Sequence, residues 1–209
     1  LMADTNERLA TGKSVNSARD DPVNYFASEE HLDRAGDLQN RKDEMSEAIQ
    51  LVTAANDGVE ALLDLIDSMQ ALANSAMTAN SETEATKLQE QYNSIMTQMD
   101  QLVNDSYYKG TNLLAGATQT LDVYFNAEGT SKLTLTGESA YCADLGINEV
   151  NTTNANLWWD TTTGALDMTN INAALDELVD AKGTLRTMSK TLSLDLSTIE
   201  IRSNFTDQM

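Results

Sequence analysis

The residues best able to do chemistry in this sequence lie around its single histidine. His31 is flanked by Glu29, Glu30 and Asp33, and the Glu30–Asp33 spacing places two carboxylates on one face of a helix, where they could help to bind a metal ion. One histidine without a second cluster of ligands is a weak signal. We therefore interpret this group as part of a solvated helix face, and the sequence predicts no metal site.

Other catalytic patterns are also missing from the sequence. It contains no HExxH, no GxSxG and no phosphate-binding loop. Cys142 is the only cysteine, so it cannot form an internal disulfide, and no histidine is near it in sequence. We expect it to be a small buried residue. The sequence predicts a protein that is not an enzyme and that uses no cofactor.

The charge of the chain excludes two classes of partner. Thirteen Lys and Arg face 33 Asp and Glu, which gives a net charge of −20. Such a surface repels nucleic acid and anionic membranes, so we expect neither as a partner. No apolar run is long enough to span a membrane, and no cleavable signal peptide is visible. The opening LMADTNERL has the pattern of a helix interior. We therefore expect the true ends of the protein to lie outside this sequence.

A specified turn follows the first helical segment. Gly12 can take the left-handed conformation that ends a helix, and the only proline, Pro22, fits the first turn of the next helix. Asp21 can accept hydrogen bonds from the free N–H groups there. Two interpretations stay open for Asn16, Ser17 and Arg19 in the loop between: local turn chemistry, or contact with another chain.

Three helical segments position these residues. After Pro22 a seven-residue repeat predicts one helix of about 55 residues with a coiled-coil seam, interrupted only by a potential kink at residues 56–58. The two rows of this seam are Leu38, Met45, Val52, Val59, Ile66 and Ala73, and Ala48, Ala55, Leu62, Met69 and Ala76.

Two more helices follow the same logic. The second is predicted from Glu84 to Asn104, with Ser81 and Glu84 spaced as a capping box. The third is predicted to start near Asn170. Their inward rows are Leu88, Ile95, Met99 and Leu102 in the second, and Ile171, Leu178, Leu185, Leu192 and Ile199 in the third.

The segment between these helices differs. Residues 120–138 alternate with period two around a turn at residues 126–130, which predicts a hairpin, and a Thr- and Asn-rich stretch follows at residues 151–163. Trp158 and Trp159 are expected to pack this segment, with contact to another molecule as the alternative. The predicted fold is mainly α: an elongated bundle of long coiled-coil-like helices from both chain ends. Its domains are residues 1–114, a small β-rich insertion at 115–169, and residues 170–209.

The first of these motifs is specific enough to indicate a family. ERLATGKSVNSARDDP resembles the bacterial flagellin signature, and SYYKGTNLLAG at residues 106–116 is similar to the segment that closes the second long helix of flagellins. The last helix, with AALDELVDAKGTLRTMSKTL, resembles the carboxyl-side core helix of the family. The small insertion looks more like the compact alphaproteobacterial flagellins than the large enteric ones.

The resemblance implies a structural subunit of the flagellar filament, which assembles itself into a helical tube for swimming motility. It implies a secreted, extracellular protein whose partners are other flagellin subunits, hook-associated junction and cap proteins, and an export chaperone. In the family the terminal helices drive polymerisation, so a chain without them is expected to stay monomeric. The loop before Pro22 lies at subunit contacts in the family, which assigns that role here to Asn16, Ser17, Arg19, Asp20 and Asp21.

The resemblance also predicts a difference from well-recognised flagellins. Those that activate the vertebrate innate receptor carry an arginine, a leucine and a glutamate at positions that fall near Asp67, Ala71 and Gln91 in this sequence. All three differ, so we expect weak receptor activation or none.

Three alternatives remain at this point. A flagellin-related hook–filament junction protein shares the helical core, although such proteins typically differ from YYKGTNLLAG at the second motif. A flagellin with an inserted metalloprotease would require the absent HExxH. An unrelated secreted helical adhesin or export substrate would not account for the two motifs.

Overall fold

A computed structural model describes residues 2–151 and 156–208. Among these residues four helices carry the fold, and four short strands form two separate hairpins between the third helix and the last. The mainly α fold with a small β-containing insertion is confirmed. The elements are α1 (Met2–Thr11), α2 (Pro22–Ala76), α3 (Glu82–Asp105), β1 (Thr120–Tyr124), β2 (Lys132–Thr136), β3 (Trp159–Asp160), β4 (Ala165–Leu166) and α4 (Met168–Thr206).

Helix α2 is the longest helix of the described chain, and it buries the coiled-coil seam that the sequence predicts. It runs for 55 residues from Pro22 and buries both heptad rows from Met45 onward, whereas Leu38 is only half-buried. Helical structure continues through residues 56–58, where the sequence indicated a potential kink. Gly58 is buried there, and a Cβ on it would lie 2.6 Å from Ser106 Oγ and 2.9 Å from Leu114 Cδ1. The lack of a side chain at Gly58 therefore allows Ser106 and Leu114 to pack closely against α2.

Helix α4 packs antiparallel along α2. Ser189 Oγ donates to Asn56 Oδ1 at 2.7 Å, Lys182 pairs with Asp67, and Lys42 pairs with Asp207 at 2.6 Å. The predicted row from Ile171 to Ile199 is buried. The helix begins at Met168 because Asp167 accepts hydrogen bonds from the N–H groups of the first turn.

Helix α3 shows a different inward face from the one predicted. Ser81 caps it, accepting from Glu84 N–H at 3.3 Å, as the capping-box spacing indicated. Met99 is fully buried, but Leu88, Ile95 and Leu102 are half-buried flanks. The centre of the buried face consists of Ala85, Gln89, Tyr92, Met99 and Val103.

The first hairpin forms where the sequence predicts it. Leu121 lies opposite Leu135, and Val123 lies opposite Leu133. The turn is held by Asn126, whose Oδ1 accepts from Ser131 N–H at 2.9 Å and whose Nδ2 donates to Thr130 Oγ1 at 2.7 Å. Val123 and Leu135 are buried on the side that joins the helical core.

Polar side chains of α3 bind the insertion through hydrogen bonds to the backbone of the insertion. Gln89 Oε1 accepts from Trp158 N–H at 2.7 Å, and Asp100 Oδ1 accepts from Cys142 N–H at 2.9 Å. Asn93 exchanges two hydrogen bonds with the backbone of Val150, at 2.9 and 3.0 Å. These residues follow one face of α3, so the insertion lies along the helix and shares its hydrophobic core.

The two tryptophans have separate roles. Trp158 is fully buried and stacks edge-on against Tyr92 of α3, with 5.2 Å between ring centroids, so its predicted packing role is confirmed. Trp159 is half-buried and pairs with Leu166 in the second, two-residue hairpin. Residues 152–155 of the Thr- and Asn-rich stretch lie outside the described residues.

Candidate subunit-contact surface

The loop between α1 and α2 begins at a helix end of the predicted kind. Gly12 has φ of +68° and its N–H donates to Arg8 O at 2.9 Å, which closes the last turn of α1. A residue with a Cβ would be strained at this φ. The change of direction between the two helices therefore depends on this glycine.

Three of the predicted contact residues hold the loop together through hydrogen bonds. Asp20 Oδ2 accepts from the backbone N–H groups of Asn16 and Ser17, both at 3.3 Å, and Asp20 N–H donates to Ser17 O at 3.0 Å. Asn16 Oδ1 in turn accepts from Thr11 Oγ1 at 2.7 Å. Local turn chemistry thus accounts for Asn16, Ser17 and Asp20, because the Asp20 carboxylate satisfies backbone N–H groups that no helix satisfies and the Asn16 amide accepts from the Thr11 hydroxyl.

Asp21 is the amino-terminal cap of α2. Its Oδ1 accepts from Asn24 N–H at 3.1 Å, and its Oδ2 accepts from Asn24 Nδ2 at 2.6 Å. The backbone hydrogen bond from Asn24, followed by the side-chain bond, lowers the pKa of the Asp21 carboxyl, because both favour the ionised form. Pro22 occupies the first helical position, where no N–H is required.

Arg19 is the one predicted loop residue that local chemistry does not use. Its side chain is exposed, and it makes no hydrogen bond or ion pair within residues 2–151 and 156–208. The loop is therefore held by hydrogen bonds to the Asp20 carboxylate and presents an exposed guanidinium that these bonds do not use. An exposed guanidinium of this kind can bind a carboxylate through two parallel hydrogen bonds.

The beginning of α2 is not covered by any other helix of the described chain. The first buried residue of α2 is Met45, and the end of α4 meets α2 at Lys42 through Asp207. Val23, Phe26 and Leu32 are exposed by 77%, 62% and 56%, and Phe26 packs edge-on against its neighbour Tyr25. We call residues 2–37 the arm. Apolar side chains concentrated on an uncovered helix indicate a protein contact.

The predicted receptor-equivalent positions lie on two adjacent helices. Asp67 and Ala71 are exposed one turn apart on α2, and Gln91 is exposed on α3. Asp67 is engaged by Lys182 of α4.

The group around His31 does not form a metal site in the part of the chain that the structure describes. His31 lines an open groove of about 500 Å³ together with Arg34, Lys42 and Asp207. Among the described residues no three His, Cys, Asp or Glu side chains converge to hold a metal ion. Two neighbouring cations would also oppose a third positive charge.

Cys142 is buried against α3, as expected. Its Sγ lies 3.5 Å from Met96 O and 4.0 Å from Met99 Sδ. Burial, together with the nearby Asp100 carboxylate, raises the pKa of the thiol to about 12. The group is therefore an unreactive thiol at neutral pH.

The polar row Gln89, Asn93 and Asp100 was missed by sequence reasoning. Spacings of four and seven residues placed these side chains on one helix face, but the same spacing is typical of a solvated face. Only the partners on the distant insertion distinguish the two. Among the residues that the structure describes, no helix is long and apolar enough to cross a membrane.

Comparisons with a family model and with curated proteins agree on one family. Residues 1–119 match the family model described as the bacterial flagellin N-terminal helical region. Polar flagellin F of Vibrio parahaemolyticus is 25% identical over 118 residues, which are 56% of this chain and 31% of that protein. Flagellin FljM of Caulobacter vibrioides is 22% identical over 147 residues, which are 70% of this chain and 54% of that protein.

One solved structure supports the fold. A crystal structure of Bacillus cereus flagellin matches with a TM-score of 0.61 and 14% identity, covering 78% of this chain and 88% of that one. The chain spans from about a third to about half the length of the curated relatives it matches.

Proposed function

This chain belongs to the bacterial flagellin family, and we propose that it is a structural subunit of the flagellar filament that assembles with further copies into a helical tube. The proposal rests on one observation above all. The arm carries exposed Val23, Phe26 and Leu32 on helix turns that the described chain itself does not cover. Such a surface needs a partner, and a filament provides one at every subunit.

The loop would serve as the contact element that the arm presents. Asp20 and Asp21 hold the loop backbone and the helix start, and Asn16 and Ser17 complete the turn. These four residues set the position from which Arg19 reaches a neighbouring subunit. Filament growth of this kind requires heterologous contacts, in which two different patches meet and both remain available at the ends.

The remaining partners follow from the same function. The junction and cap proteins of the hook and filament end would bind the same core helices at the ends of the tube. An export chaperone would hold the subunit before secretion, and the assembled protein would be extracellular. The net charge of −20 gives no surface for nucleic acid or anionic membranes.

Seeded assembly tests the proposal. The full-length product of the gene is added to short filament seeds, and elongation is followed by light scattering and electron microscopy. Arg19→Ala should slow elongation without loss of helicity, and Lys87→Ala, an exposed cation on α3, serves as the matched control. Failure of the unsubstituted protein to elongate seeds would contradict the filament function. Binding only at hook ends would indicate a junction protein instead.

A further inference from the structure

Two exposed stripes on different helices match each other in chemistry. The first, the arm stripe, follows one face of α2 at spacings of three and four residues, and its members are Val23, Phe26, Glu30, Asp33 and Asp37. The second, the α4 stripe, follows one outward face of α4 at spacings of four and seven residues, and its members are Arg186, Lys190, Leu194, Ile201 and Phe205. All ten side chains are exposed.

The α4 stripe lies away from the core face of its own helix. Leu194 and Ile201 each follow a buried seam residue, Leu192 and Ile199, by two positions, which is a rotation of about 200° around the helix. They are exposed by 61% and 66%. Arg186 and Lys190 form no ion pair in the described part of the chain. The stripe therefore offers two free cations followed by three apolar side chains.

The arm stripe has the complementary order. Val23 and Phe26 are apolar, and Glu30, Asp33 and Asp37 follow as carboxylates. If the two helices run antiparallel, the apolar ends meet and the carboxylates lie beside the cations. If they run parallel, each charged end faces an apolar end. Only the antiparallel arrangement is complementary, since unpaired charges on apolar surface cost free energy.

We infer that the arm stripe of one subunit docks on the α4 stripe of a second copy of this chain. This inference rests on the proposed filament function and names the surface through which subunits meet. Within one chain α2 and α4 are already antiparallel. A second copy in the same orientation, displaced sideways to lie against the outward face of α4 and also shifted along the long axis, therefore brings its α2 antiparallel to the first copy's α4. The contact is heterologous and leaves one stripe open at each end, as an open polymer requires.

The displacement follows from the pairing along the helices. Lys182 lies beside Asp67 and Ser189 beside Asn56, so Arg186 is level with α2 near residue 60 of its own chain. Placing the second copy's Asp37 at that level shifts it by 60 − 37, about 23 residues, or about 35 Å at 1.5 Å per residue. With this shift Asp33 comes opposite Lys190 and Val23 comes near Ile201.

Charge reversal tests the polar half of the contact. In seeded assembly of the full-length product, Asp33→Lys and Lys190→Glu should each raise the critical concentration roughly tenfold, because an attraction becomes a repulsion. The double variant should return to about the unsubstituted value. Asp105→Lys, an exposed carboxylate at the end of α3, is the matched control and should change little.

Cysteine cross-linking tests the apolar half. With Cys142→Ala as background, assembled Val23→Cys/Ile201→Cys chains should oxidise to a ladder of covalent multimers, and a mixture of the two single variants should give dimers only. Val23→Cys/Tyr107→Cys is the control pair, since Tyr107 is also exposed but lies on neither stripe.

The outcomes separate the two proposals. If the unsubstituted protein does not elongate seeds, the filament function itself fails. If polymers form but the stripe pair gives no ladder, or the reversals have no effect and no rescue, the function stands and the docking inference is overturned. A fast-migrating monomer with an internal bond between Val23→Cys and Ile201→Cys would also overturn it, because the arm stripe would then be covered by its own chain.

Discussion

Replacement of Gly58 by alanine should destabilise this protein, although alanine is the better helix former. The glycine is buried in the middle of α2, and an added Cβ would lie 2.6 Å from Ser106 Oγ and 2.9 Å from Leu114 Cδ1. Ser106 cannot turn away freely, because its hydroxyl donates to Leu102 O at 2.7 Å. Leu114 is itself buried in the core.

Two opposing effects set the size of the change. Alanine gains about 1 kcal/mol over glycine in a helix interior, whereas overpacking a filled core costs about 1–3 kcal/mol. We expect a net loss of about 1 kcal/mol in the free energy of unfolding. Gly36 and Gly183 are helical glycines whose added Cβ would meet nothing within 4 Å. Gly183→Ala and Gly36→Ala should therefore each stabilise by about 0.5–1 kcal/mol.

Thermal and urea unfolding followed by circular dichroism measures the contrast. For a chain of this size about 1 kcal/mol shifts Tm by about 2–4 °C. Relative to the unsubstituted protein, Gly58→Ala should therefore lower Tm and Gly183→Ala should raise it, each by a few degrees. Adding Ser106→Ala to Gly58→Ala should recover part of the loss, because the closest atom is removed. Equal stabilisation by all three glycine substitutions would refute the packing explanation of Gly58.

Four further outcomes follow from the structure. Trp158→Ala should lower the free energy of unfolding by about 3–5 kcal/mol because it empties a fully buried site, and denaturant unfolding followed by circular dichroism checks this; a loss below about 1 kcal/mol would contradict that burial. Asp21→Ala should lower Tm at neutral pH; because the folded-state pKa of Asp21 is depressed, its contribution is present above the unfolded pKa and is lost as pH falls through the folded pKa, so the difference in Tm should vanish in acid. Cys142 should resist a thiol reagent in the native protein and react at once in urea, since burial raises its pKa to about 12; rapid native labelling would show that the site opens. In a reporter-cell assay the protein should activate the vertebrate innate receptor weakly or not at all, and strong activation would show that Asp67 does not occupy the arginine position.

The contact loop shows how far sequence reasoning reaches into the site. Gly12, Asp21 and Pro22 were assigned correctly because helix ends have local requirements: a left-handed residue, a cap for free N–H groups and a residue without an N–H. The roles of Asn16, Ser17 and Arg19 stayed open, because the same polar residues can close a turn or meet another chain. The backbone geometry shows Asp20 as the group that closes the turn and Arg19 as the free one.

Helix α3 shows where the same reasoning fails. Its leucine and isoleucine row was expected to face inward, yet Tyr92 and Gln89 take the centre of the buried face. The helix packs on α2 on one side and on the insertion on another, so two partners divide its surface. A single inward stripe cannot be inferred for a helix with two partners, because periodicity identifies apolar faces and does not say how many neighbours share them.

The sequence by itself determined the long helices, the helix ends at Gly12, Asp21 and Ser81, the inward rows of α2 and α4 and the first hairpin, since each depends on periodicity or on residues a few positions apart. Tertiary structure alone decided what depends on distant segments: the close approach at Gly58, the backbone contacts of Gln89, Asn93 and Asp100, and the faces that remain exposed. Polar side chains on a helix show the same sequence spacing whether they face solvent or bind the backbone of another segment. The distant segment that folding brings to them decides between these two environments.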